Sequence, residues 1–131
     1  MKNIFLSYKQ SWISDKELNS TLGFLRENIE NLDFKTSVYY FDDNSNLEAK
    51  ILDKKFLDNI KKSDIFISFL NYEDKSEWQL MELWMAYSLW KRIILLVNEN
   101  IKDNYYLCYW ISTEIHYFNE LKDLDFKKIL W

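Results

Sequence analysis

The chain has 131 residues, enough for one domain with a real core. Hydrophobic residues make up 48% of it and aromatics 18%, which excludes intrinsic disorder. A net charge of −4 offers no basic field to neutralise phosphates, so no nucleic-acid partner is expected.

Met1-Lys2-Asn3 runs straight into Asn3 to Tyr8, a short apolar run read as a buried strand, with no signal peptide before it. Leu18, Leu22, Leu25, Ile29 and Leu32 recur at helical spacing, so Asp15 to Glu30 is predicted as an amphipathic helix capped by Ser14 or Asp15. Thr36 to Phe41, with Val38 and three aromatics, reads as a second strand, and Asp42 to Asn46 as a loop. Ala49, Leu52, Phe56 and Ile60 give a second helical stripe, with Lys61-Lys62 at its C-terminal end. Ser63-Asp64 breaks it, and Ile65 to Leu70 follows as a third strand, apolar on both faces. After the polar stretch Asn71 to Lys75, Ser76 and Gln79 have the spacing of a capping box. A helix is therefore predicted from Glu77 to Trp90, apolar nearly all round and so buried or at an interface. Strand four spans Ile93 to Val97, and beyond Asn98 the pattern weakens. Glu114 to Phe118 reads as a fifth strand and Asn119 to Trp131 as a short terminal helix.

Strands alternating with helices imply a parallel sheet covered on both faces. The expected fold is α/β, three-layered and flavodoxin-like, with strand order 2-1-3-4-5 in a single domain. The longest apolar run, Ile93 to Val97, is too short to cross a bilayer, so no membrane is expected. A lone cysteine, Cys108, allows no internal disulfide and fits a cytoplasmic location.

Two scarcities narrow the chemistry. The single glycine, Gly23, cannot build a Walker loop or a dinucleotide-binding turn. The single histidine, His116, has apolar neighbours and reads as a packing residue, and neither a metal site nor a Ser-His-Asp triad is expected. Carboxylates remain. In a sheet of this order ligands bind beyond the carboxyl ends of the strands at the switch point, here between strands one and three. Ser7, Tyr8 and Lys9 leave one strand there and Asn71 onward the other. Trp78 and Glu82, four apart on the next helix, share one face, and helical side chains lean back toward the rim. A carboxylate can stabilise or attack the oxocarbenium-like centre of a breaking N-glycosidic bond, and an indole can stack on a base. From spacing alone, Glu82 reads equally well as a solvated helix residue and Trp78 as packing.

Most of Asn3 to Val97 resembles a Toll/interleukin-1 receptor (TIR) domain. Ile4-Phe5-Leu6-Ser7-Tyr8 is similar to that family's first-strand box, and Ser63 to Tyr72 to its third strand and following loop. Ser76-Glu77-Trp78-Gln79-Leu80-Met81-Glu82-Leu83 resembles the pattern Ser-x-Trp-x-x-x-Glu-Leu, whose glutamate is catalytic in NAD-cleaving members. Departures are the missing glycine in the loop at Asp42 to Asn46, Gln79 in place of a common cysteine, and no clear third box. A second resemblance is to nucleoside 2-deoxyribosyltransferases, through Met81-Glu82-Leu83, Ala86, Ser88 and Lys91. Those enzymes usually carry Asp and Gly where this chain has Ser76 and Trp78, which places TIR first.

The first resemblance implies an enzyme cleaving NAD, as substrate and with no cofactor, at its nicotinamide–ribose bond. Glu82 would be catalytic, and Trp78, Tyr8, Ser7, Ser76 and Asp43 would line the pocket. It also implies self-association through TIR–TIR contacts and a separate effector protein in microbial immune or stress signalling. The alternatives are a deoxyribosyltransferase or nucleotide hydrolase using the same glutamate, and a non-catalytic TIR interaction module.

Overall fold

The alternating periods of the sequence become a five-stranded parallel sheet in the order β2-β1-β3-β4-β5. The computed structural model of the protein describes residues 1–10, 12–38 and 55–131, without the side chains of residues 55 and 56. Along the chain run β1 (Asn3–Tyr8), α1 (Asp15–Glu30), β2 (Lys35–Val38), α2 (Lys55–Lys62), β3 (Ile65–Leu70) and α3 (Glu77–Ser88). Then come β4 (Arg92–Asn98), a 3-10 segment (Glu99–Tyr105), α4 (Tyr106–Ile111), β5 (Glu114–Phe118), a 3-10 turn (Leu121–Asp123) and α5 (Phe126–Leu130).

Every residue of β3 is buried, because a parallel sheet with helices on both sides leaves its central strands no solvent face. Alternate side chains divide the core in two. Ile4, Leu6, Tyr8, Ile67 and Leu96 pack with α1 and α5, whereas Phe5, Phe66, Leu70 and Leu95 pack with α2, α3 and α4. The rings of Phe5 and Phe66, opposite each other on β1 and β3, stack at 5.5 Å. Each such buried side chain contributes about 1.5–3 kcal/mol. One step further along the same face, the paired residues are Ser7 and Ser68. Two small hydroxyls therefore interrupt the apolar layer beneath the first turns of α3, before Leu70 resumes it on β3.

The fold and strand order agree with the expectation from sequence. The expected second strand begins one residue late and runs on to Phe41; residues 39–41, like the loop from Asp42 to Asn46 and the stripe residues Ala49 and Leu52, lie outside the described residues. Instead of reaching Trp90, α3 ends at Ser88, because Trp90 takes the left-handed conformation (φ 59°). The Trp90 N–H then bonds the Tyr87 carbonyl and the Lys91 N–H the Ala86 carbonyl, closing the helix end in the place where glycine is usual. The 3-10 segment and α4 after β4 went unpredicted. The single expected terminal helix is a 3-10 turn followed by α5. Among the described residues no helix is long and apolar enough to cross a membrane.

Candidate active site

Helix α3 starts where β3 delivers the chain to the carboxyl end of the sheet. The Ser76 hydroxyl accepts from the Gln79 N–H at 3.2 Å and caps the helix. The other half of the expected capping box is not made. The Gln79 side chain turns inward instead and donates to the carbonyls of Ser7 (3.3 Å) and Phe69 (2.8 Å) and to the Ser68 hydroxyl (3.1 Å). One buried amide thus ties the first turn of α3 to the ends of both β1 and β3 at the switch point.

Gln79, Glu82, Leu83 and Ala86 form the buried face of α3. Leu83 and Ala86 join the apolar core, while Glu82 meets the Ser7 layer. Its side chain is 3% exposed, and the Ser7 hydroxyl donates to its Oε1 at 2.9 Å. Burial pushes the Glu82 carboxyl up to about 8, since desolvation penalises the charged form. The Ser7 hydroxyl and the Trp78 indole both favour that charged form and offset part of the rise. A carboxyl so perturbed at a switch point marks a candidate site.

An open cleft of about 420 Å³ lies at the start of the same helix, lined by Lys9, Trp12, Asp74, Lys75, Ser76, Glu77 and Trp78 but not by Glu82 itself. That volume suits a small ligand. Trp78 belongs both to the cleft wall and to the surroundings of Glu82. Trp12, another lining residue, is 97% exposed and left-handed at φ 67°. Buried Lys9 donates from Nζ to the Asp74 carbonyl at 3.0 Å, bracing one loop against the other.

Of the residues singled out in the sequence, the structure brings Glu82, Ser7, Trp78 and Ser76 together. Ser7 is buried and donates to Glu82, and neither of the two lines the cleft. Tyr8, one residue on, projects from the opposite face of β1 into the core against α1, as strand alternation requires. It is not brought to Glu82. Asp43 lies outside the described residues. Lys9 was placed at the rim from sequence without a role, and Trp12 was missed. Its only signal is an aromatic in the first βα loop of a sheet that binds ligands at such loops. His116 lies half-buried on edge strand β5, its Nε2 4.0 Å from a Glu114 carboxylate oxygen. Among the described residues no three His, Cys, Asp or Glu side chains are grouped to hold a metal.

No protein-family model matches the chain, and no curated protein matches it either. Solved structures do. The CMP N-glycosidase BcmB of Clostridium botulinum is similar with a TM-score of 0.69 and 21% identity, over 92% of this chain and 92% of that one. A conserved protein of Enterococcus faecalis V583 gives 0.71 and 14% over 99% of each. The 2-deoxyribosyltransferase of Bacillus psychrosaccharolyticus gives 0.59 and 19%, over 97% of this chain and 95% of that one. The last belongs to the second family that the sequence resembles, and the TIR resemblance gains nothing from these three. At such identities the likeness establishes the fold, which this chain shares with proteins of that kind.

Proposed function

We propose that the protein is an N-glycosidase that removes the base from a nucleotide or nucleoside, with Glu82 as its catalytic residue. The observation that carries this reading is the Glu82 carboxyl itself: buried, raised to about 8, held by Ser7, and set behind Trp78 at a cleft over the switch point. The likeness to a CMP N-glycosidase and a 2-deoxyribosyltransferase supports the same class of bond.

In this reading a substrate base lies in the cleft against the Trp12 and Trp78 indoles. As the C1′–N bond breaks, the electron pair leaves with the base and positive charge develops on the ribosyl centre. Ionised Glu82 is the anion nearest to that charge, and low polarity makes its attraction stronger than in water. Water, or a second base in a transferase, then bonds to C1′, and the proton released is taken up by the departing base. The active form is the carboxylate, so kcat/KM rises with pH through about 8 and then levels.

The test is base release by the wild-type protein and Glu82→Gln from three substrates: cytidine 5′-monophosphate, a deoxynucleoside and NAD. NAD is included because the Ser76, Trp78 and Glu82 register is also that of the NAD-cleaving pattern. Release from either of the first two that is lost in Glu82→Gln supports the proposal. Release of nicotinamide alone would favour the NAD-cleaving reading, and no release from any of the three would remove the enzyme reading.

A further inference from the structure

We propose that the aromatic surface on the outer sides of α3 and α4 is a self-association face that joins two copies of this chain. Six large side chains compose it: Trp84, Tyr87, Trp90, Tyr106, Leu107 and Trp110, all exposed. They are contiguous. Trp84 and Tyr87 meet edge to face with ring centres 5.9 Å apart, and Tyr87, Trp90 and Trp110 line one open groove of about 400 Å³. Tyr106 and Leu107 precede Trp110 on α4, at spacings that share its outward side.

The extent of this surface points to a partner of protein size. Trp90 is 91% exposed and Trp110 86%. At about 200 Å² for a large side chain, the exposed parts of the six amount to roughly 800 Å². That exceeds the apolar patch ordinary for a monomer, about 300–600 Å², and matches the roughly 800 Å² that each partner contributes to a stable complex. Trp90 adds a second sign. It holds a backbone conformation that favours glycine, yet its indole covers almost nothing within its own chain.

The charge pattern favours a second copy as the occupant. None of the six side chains is charged, so the face can meet itself without like charges opposed, although the chain carries −4 overall. The two cations at the groove are committed internally. Lys91 donates to the carbonyls of Lys61 (2.8 Å) and Ser63 (2.7 Å), and Arg92 pairs with Glu114 and donates to the Ile129 carbonyl. Arg92 is thereby neutralised, and two of the three Lys91 ammonium hydrogens are used within the chain. This leaves little basic charge at the groove for an anionic lipid surface or an acidic partner, whereas aromatic faces pair with one another in offset or edge-to-face geometry. The proposal does not depend on the enzymatic reading.

Sedimentation equilibrium of the full chain at micromolar concentrations tests it, with Trp90→Gly and Trp110→Ser alongside. Trp90→Gly suits the left-handed position, and both sites are exposed, so the variants are expected to keep the wild-type circular dichroism. The expected result is a wild-type species of twice the 16.1 kDa chain mass, with each variant dissociating at least about tenfold more readily. A monomeric wild type overturns the proposal, and so does a dimer that neither variant weakens. A monomer that sediments with phosphatidylglycerol vesicles would assign the face to lipid and overturn it as well.

Discussion

At the scale of single residues, Glu82 carries an energetic penalty that its neighbours only partly relieve. Its folded value of about 8 lies above the 4.5 of a free side chain, so between those values the folded state holds more protons than the unfolded chain. Stability therefore falls as pH rises from about 4.5 to about 8. Glu82→Gln, which has no charge to desolvate, is expected to be the more stable protein at pH 8 to 9, by on the order of a few kcal/mol. The difference should shrink toward pH 5. Urea unfolding of both proteins across that range checks it, and equal stability at pH 9 would contradict it. In the proposed reaction Ser7 acts through Glu82. Ser7→Ala removes a hydrogen bond that favours the carboxylate, so the midpoint of the kcat/KM profile should move upward by about one pH unit, against a wild-type profile measured in parallel.

At the scale of elements, the placement of Glu82 depends on how α3 is docked. Gln79 donates to three acceptors at the ends of β1 and β3, all of them buried away from water. Gln79→Ala leaves those acceptors without this donor and should cost about 2–3 kcal/mol in chemical unfolding, with loss of activity beyond the loss of stability. A cost within ±0.5 kcal/mol would show that the amide is dispensable. The sequence made much of this legible. The 3.6-residue stripe of α1, the apolar run of β3 and the Ser76 cap are local patterns with local causes, and helix spacing at a switch point made Glu82 a candidate, which the family resemblance then put ahead of a solvated helix residue. Burial of Glu82 was not legible, because its layer is completed by Ser7 and Ser68, which are distant in sequence and adjacent only through strand pairing. The inward turn of Gln79 was hidden for the same reason: a capping-box spacing says nothing of acceptors on another strand. Trp90 ended α3 two residues early because no local rule anticipates a left-handed tryptophan. With its only glycine inside α1, the described chain makes its left-handed turns with Trp12, Asp33 and Trp90.

At the scale of the whole molecule, two apolar layers pack on either side of the sheet, and the proposed chemistry lies where one layer changes from phenylalanine to serine. The same fold serves unrelated reactions, so the functional claim rests on the site. It states that the buried carboxyl of Glu82, once ionised, breaks an N-glycosidic bond. The most direct measurement is the rate of cytosine release from cytidine 5′-monophosphate between pH 5 and 9, for the wild-type protein and Glu82→Gln. The expected result is release by the wild type whose kcat/KM climbs through about pH 8, with at least about a hundredfold loss in the variant. Release that persists undiminished in Glu82→Gln would contradict the assignment of that residue, and a wild-type rate that falls as pH rises toward 8 would contradict the carboxylate as its active form.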